Sequence, residues 1–305
     1  MVAELFEASV VIPVFNRPDL LEKVLQGLWR QSGRTSFEVL VCDDGSTEDI
    51  TSVVDRFQKE LPALKYLHQE NQGPAAARNL GTRHAAAEYV IYLDSDVLPD
   101  AGLIDKLVDS MCANPDWVGA EARVEPCGGE DNLLWDAPVC DSGGVYLTAA
   151  IIYRRDALEK TGGFDQAFLR AACEDVELAV RMQRYGKIGF VRDARVRHPR
   201  RRKSFRYYWN KRHDWRYVLF LALRHGFIAW PGNPTHFPRL RLIWCALVTQ
   251  PAGRFLNSCR LCLQSPRAGL VATSHALFSW LCGISALPDI LFSAEPPLRD
   301  FLRTG

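Results

Sequence analysis

Along the first hundred positions, apolar residues fall into short runs separated by polar clusters. Residues 9–15 (SVVIPVF), 37–42 (FEVLVC), 64–68 (LKYLH) and 89–93 (YVIYL) have the length and the β-branched or aromatic content of strands. Between them, residues 20–30, 48–61 and 74–87 carry helical patterns, the last an Ala-rich stretch opening on Pro74. The order β-α-β-α-β-α-β predicts an α/β fold, a mainly parallel sheet flanked by helices on both faces. In such sheets ligands bind beyond the carboxyl ends of the strands, because loops and helix N-termini converge there.

Four polar clusters stand at those ends. They are Asn16-Arg17, Asp43-Asp44-Gly45-Ser46, Asn71-Gln72-Gly73-Pro74 and Asp94-Ser95-Asp96. Asp43 to Ser46 suits a turn followed by a helix cap as well as a binding loop. The Gly73-Pro74 step suits a plain helix start, but a helix N-terminus beside a glycine is also a good phosphate site, and Arg78 lies on the first turns of that helix. Asp94 and Asp96 are harder to explain structurally, since two acids at i and i+2 repel unless a cation lies between or beside them. A hard divalent cation takes one or two protein carboxylates while a substrate diphosphate supplies further oxygens. Asp96, with Asp94, is therefore a candidate ligand for a metal on a nucleotide diphosphate.

Farther on, CEDVELAVRMQRYG presents an apolar helix face through Val176, Leu178, Ala179 and Met182, with Glu174-Asp175 at its start. Acids in a first turn complement the helix dipole, worth about half a kcal/mol. A general base also needs a carboxylate placed this way, within reach of an acceptor hydroxyl. Both readings stand at this level.

With 305 residues and 48% hydrophobic content, the chain can bury a large core, which excludes a disordered protein. The first residues lack the features of a secretory signal, so the N-terminus is expected to stay cytosolic. Nine scattered cysteines suggest buried thiols rather than a disulfide framework, and the lone Cys259-x-x-Cys262 lacks the second pair of a zinc site. The net charge of +1 hides an asymmetry: residues 1–194 hold 19 Lys and Arg against 32 Asp and Glu, residues 195–305 hold 18 against 4. Two surfaces of opposite sign are built into one chain.

The ordered set SVVIPVFNRPDLLEKVL, VLVCDDGSTED, NQGPAAARNLG, YVIYLDSDVLPD, the GGFD segment, CEDVELAVRMQRYG and RVRHP resembles the family 2 glycosyltransferases over residues 8–200. The resemblance implies a GT-A (Rossmann-like) catalytic domain over 1–200, with a C-terminal basic, aromatic and apolar helical appendage over 201–305. It implies that Pro13 and Asn16 line the nucleotide pocket, that Asp43 or Asp44 receives the base, commonly uracil, and that Gly73, Arg78, Asp94 and Ser95 lie at the nucleotide-sugar. It further implies that Asp94 and Asp96 form the DxD pair, whose last acid binds Mg²⁺ or Mn²⁺, and that Asp175, paired with Glu174, is the catalytic base of an inverting transfer. His198 falls where many members have a histidine near the metal or diphosphate, though a solvated histidine beside a basic run is an equal reading. Residues 126–146, with Trp135 and Asp136, match the region that shapes the acceptor site, or form an ordinary surface loop.

Residues 195–212 pack nine Lys and Arg among Phe205, Tyr207, Tyr208 and Trp209. Nucleic-acid binding and attachment to an anionic membrane surface both use this composition. The apolar runs 240–248 and 269–292 that follow favour the membrane, as a helical hairpin packed on the domain or partly sunk in the bilayer face. The same apolar helices would also serve a homo-oligomer interface. The expected protein is thus a metal-dependent transferase of a UDP-linked sugar to a glycan or lipid-linked acceptor of the cell envelope, at the inner membrane face. Its rival is a non-catalytic nucleotide-sugar or nucleic-acid binding protein that keeps the fold.

Overall fold

The computed structural model of the chain describes residues 6–31, 33–130 and 135–204, with positions 207, 209, 214, 217, 221, 224, 225, 227, 228, 235, 236 and 277. The apolar runs 240–248 and 269–292, apart from Leu277, and the Cys259-x-x-Cys262 motif lie outside the described residues. Two compact units are present, one of residues 1–128 and 137–199, the other of 129–136 and 200–305.

The first unit follows the expected alternation: β1 (Ala8–Val14), α1 (Pro18–Trp29), β2 (Phe37–Asp43), α2 (Thr51–Phe57), β3 (Leu64–His68), α3 (Pro74–His84) and β4 (Tyr89–Leu93). It continues through β5 (Leu98–Pro99), α4 (Leu103–Ala113), β6 (Trp117–Cys127), β8 (Ala150–Arg154), α5 (Arg155–Thr161), α6 (Glu174–Met182) and β9 (Lys187–Pro199). In the second unit, β7 (Trp135–Asp136) pairs antiparallel with β10 (Arg201–Arg202), and β11 (Phe227–Ile228) pairs with β12 (Thr235–His236).

Eight strands form one sheet in the order β3-β2-β1-β4-β8-β6-β9-β5. Four of its seven pairings are parallel, and β8 runs antiparallel between β4 and β6. Alternation along the strands divides the core. Val10, Ile12, Val39, Val41 and Ile91 pack with Leu21, Val24, Val54, Leu103 and Leu107 of α1, α2 and α4. Val11, Leu40, Val90 and Tyr92 pack on the opposite face with Ala77, Leu158, Leu178 and Met182 of α3, α5 and α6. Full burial of a side chain such as Leu178 or Met182 contributes about 1.5–3 kcal/mol. Gly81 lets α3 approach closely, since a Cβ there would lie 2.4 Å from Val11 and 2.8 Å from the Cys42 sulfur.

Two helices are shorter than their sequence patterns predict. The 48–61 pattern becomes α2 over Thr51–Phe57, because the Asn16 side-chain oxygen accepts the Thr47 and Glu48 amides and holds the start of that stretch as a loop. The 74–87 pattern ends at His84, since the Ala86 amide donates to buried Glu38 (2.7 Å) and the Ala87 amide to Ser9 (3.1 Å). In the second case side chains of β1 and β2 take amides the helix would have used.

Candidate active site

The strand order reverses between β1 and β4, the switch point beyond whose strand carboxyl ends α/β sheets bind their ligands. Asp94, Ser95 and Asp96 leave β4 there. Asp96 is 5% exposed and Ser95 is also buried, while Asp94 is partly open to solvent. The short β5 then pairs antiparallel with β9, Leu98 opposite Arg197, so the register carries His198 back to the Asp96 end of the pair. His198 Nε2 lies 3.4 Å from Asp96 Oδ1. Its Nδ1 is 3.0 Å from the Pro199 carbonyl, which can only accept; a proton held there would leave the Nε2 lone pair for a cation.

Asp94, Asp96 and His198 thereby offer ligand atoms all within 4.8 Å of one another. Two carboxylate oxygens and one imidazole nitrogen, the imidazole oriented by an outer contact to a carbonyl, suit Mn²⁺ or Mg²⁺ sharing its shell with phosphate. The donor set fits the cation that the resemblance implies.

Arg78 projects from α3 into the protein and is 3% exposed. Its Nη2 donates to Asp94 Oδ1 and its Nη1 to Glu174 Oε1, both at 2.9 Å, and its guanidinium stacks 5.5 Å from the Phe164 ring centre. Burial alone would lower its pKa, but the charges of Asp94 and Glu174 outweigh this and raise it. One residue thus ties the first acid of the strand end to the first acid of α6. Its nearest charged partners are these protein carboxylates, a placement the expectation of a nucleotide contact did not include.

Glu174 and Asp175 open α6 after Cys173, which adopts the left-handed conformation at the helix start. Asp175 Oδ1 accepts the Val176 amide at 2.8 Å. Burial, then the neighbouring Glu174 charge, push its pKa up to about 8 against the opposing pull of the Val176 amide and Arg78. The Asp94 charge also registers at Asp175, so the α6 acid and the strand-end acids share one electrostatic environment. The segment before α6 is anchored on α3. Asn79 Nδ2 donates to the Phe164 carbonyl and Asn79 Oδ1 accepts the Phe164 amide, both at 2.8 Å. Gly73, at φ 91°, passes so close to Leu169 that a Cβ would meet its carbonyl oxygen at 2.7 Å.

The remaining expected positions line the same sheet edge. Pro13 lies in β1 opposite Cys42, and Asn16, at φ 52°, brackets the 46–48 loop. Asp43 accepts the Ser46 amide and the Tyr66 hydroxyl. Asp44 accepts the Gln72 and Gly73 amides and the Gln69 side chain, all within 2.9 Å, and so shapes the 69–73 loop. Of the two acids, Asp43 has fewer of its acceptor positions committed to these loop bonds.

Sequence reasoning assigned no role to Arg17, Asn79 or Glu121. Arg17 Nη1 donates to Asp96 Oδ2 at 2.8 Å. Buried Glu121 accepts the amides of Gly144, Val145 and Tyr146 and so shapes the 140–146 segment. A lone acid inside an apolar run, WVGAEARV, was the available signal for Glu121.

A switch point carrying a two-acid, one-histidine cluster, with buried Glu174 and half-buried Asp175 at a nearby helix start, defines a GT-A type glycosyltransferase architecture. The fold of a mannosyltransferase from Pyrobaculum calidifontis, solved in complex with GDP-Man and Mn²⁺, matches with a TM-score of 0.64 at 18% identity, covering 96% of this chain and 89% of that one. The chain belongs to glycosyl transferase family 2, whose family model matches residues 9–162. It is 41% identical over 92 residues to an uncharacterized glycosyltransferase of Rickettsia felis, covering 30% of this chain and 15% of that protein. It is 28% identical over 222 residues to the chondroitin synthase of Pasteurella multocida, covering 57% of this chain and 22% of that protein. The chain therefore matches well under half the length of these curated relatives.

Proposed function

We propose that the chain transfers a sugar from a nucleotide-sugar donor, UDP-linked, to a hydroxyl of a glycan or lipid-linked acceptor, with inversion at the anomeric carbon. The observation that carries this reading is the convergence of Asp94, Asp96 and His198 with Asp175 at one sheet edge, in a member of glycosyl transferase family 2. The acceptor oxygen bonds to the anomeric carbon as the bond from that carbon to the diphosphate breaks, and the hydroxyl proton passes to the Asp175 carboxylate. Asp96, Asp94 and His198 would hold Mg²⁺ or Mn²⁺, which when bound supplies Lewis-acid neutralisation of the leaving diphosphate. Asp43 is the preferred partner of the base, because Asp44 is committed to the 69–73 loop. The chondroitin synthase relative supports a polysaccharide-type acceptor.

The test is a thermal-shift screen of UDP- and GDP-sugars with Mn²⁺, followed by donor hydrolysis and transfer assays. A ligand selective for the native state raises its melting point. UDP with Mn²⁺ is expected to stabilise the protein, and Asp96→Ala to abolish the Mn²⁺-dependent part while the variant stays folded. Unchanged metal-dependent UDP binding by that variant removes Asp96 from the site. Nucleotide-sugar binding with neither hydrolysis nor transfer across acceptors would favour the non-catalytic binder.

Membrane association is proposed on the charge and apolar pattern of residues 195–305. Among the described residues no helix is long and apolar enough to cross a membrane. Each Lys or Arg near an anionic surface contributes about 1 kcal/mol, a term that salt weakens. The protein is expected to cosediment with anionic liposomes, less so when Arg200, Arg201, Arg202 and Lys203 are replaced by Ser, and high salt is expected to release only part of it. A protein that ignores such liposomes and runs as a dimer would assign the apolar segments to a subunit interface.

A further inference from the structure

We infer that Arg17 is the resting counter-ion of Asp96, and that it yields this carboxylate to the divalent cation when the donor diphosphate arrives to take up its charge. This deepens the metal-dependent reading above and rests on it.

The two arginines at the switch point are held very differently. Arg78 is buried and bonded to two carboxylates. Arg17 is 40% exposed, and its ion pair with Asp96 is made through a single nitrogen. The Arg17 backbone is fixed: Pro18 confines it to a non-helical conformation at φ −145° and ψ 54°, and its carbonyl accepts the Leu21 amide at 3.0 Å. A long side chain on a fixed root, half in solvent, can leave one partner for another without disturbing the fold.

Asp96 has Arg17 at Oδ2 and His198 at Oδ1. A dication drawn to Asp94, Asp96 and His198 would meet the Arg17 charge a few ångströms away, beside two groups, Asp96 and His198, that are buried and so screened less than a surface pair. The cation alone must therefore displace Arg17 and leave a guanidinium without its carboxylate. A diphosphate entering with the cation gives that guanidinium two anionic groups with which to pair. The expected consequence is that cation and nucleotide each bind weakly alone and strengthen one another, a coupling that is reciprocal by linkage.

The experiment measures Mn²⁺ binding to the full chain by electron paramagnetic resonance titration, without nucleotide and with UDP. Arg17→Gln removes the competing charge and keeps a polar side chain. It is expected to bind Mn²⁺ alone about tenfold or more tightly than wild type and to show a correspondingly smaller gain on adding UDP. Arg17→Lys keeps the charge and should stay near wild type. Lys23→Gln, an equal charge loss at an exposed position of α1, should change nothing. The gain should vanish in the Arg17→Gln/Asp96→Asn double variant.

If Arg17→Gln binds Mn²⁺ no more tightly than wild type while wild type with UDP still binds it through Asp96, the Arg17 inference fails and the metal reading stands. An equal gain in Lys23→Gln, or a gain that persists in the double variant, also overturns it. If no form binds Mn²⁺ with or without UDP, the metal reading fails and the inference falls with it.

Discussion

Replacing Asp175 by asparagine lowers sugar transfer by about a hundredfold or more while nucleotide binding persists, as expected of a general base that can no longer take a proton. Asparagine keeps the size and one acceptor oxygen for the Val176 amide, which bonds Asp175 at 2.8 Å, so the start of α6 survives. Near-normal transfer by the folded variant would return Asp175 to the role of a helix-capping acid.

The same residue sets a pH dependence. Burial and the Glu174 charge raise its pKa to about 8, so transfer at limiting substrate should climb with pH and level off at or below about 8, a bound cation nearby pulling the inflection down. Stability should move the other way. An acid that holds its proton more tightly in the fold than in the unfolded chain stabilises the fold fully at low pH. That contribution is lost between the ordinary value of 3.8 and about 8. Urea denaturation across this range should show the wild type weakening relative to Asp175→Asn as pH rises.

Replacing Arg78 by methionine is expected to cost about 3–5 kcal/mol of stability, because it leaves the buried Glu174 carboxylate without its countercharge. The loss is electrostatic rather than a matter of volume, so Glu174→Gln should recover part of it in the Arg78→Met background. Mn²⁺ affinity should also change, since Arg78 orients Asp94 through the 2.9 Å bond to Oδ1. Chemical denaturation of the two single variants and the double variant measures the coupling directly. A stability within about 0.5 kcal/mol of wild type, the scatter of a surface substitution, would show that the ion pairs contribute little.

The β-α alternation and the acids at the strand ends of one sheet edge were legible along the chain because each rests on local spacing. A strand run ending in Asp94-Ser95-Asp96 carries its own boundary, and CEDVELAV carries both its helix face and its leading acids. What local spacing cannot hold is partnership across distance. His198 reaches Asp96 only because β5 pairs with β9, and a two-residue strand such as Leu98-Pro99 has no periodicity to detect. Arg78 on α3 was legible as a charged residue at the expected site, but its bonds to Asp94 and Glu174 depend on the packing of α3 against the segment before α6. Asp43 and Asp44 were equivalent as sequence, and the fold gives them different partners, Ser46 and Tyr66 for Asp43 and the 69–73 loop for Asp44. Which residue types stand at which strand and helix ends follows from the order of residues along the chain, since backbone periodicity is a local property. Tertiary structure decided which of those charges meet, because an ion pair or ligand cluster depends on strand register and helix packing between residues as far apart as Arg17 and Asp96, or Asp96 and His198.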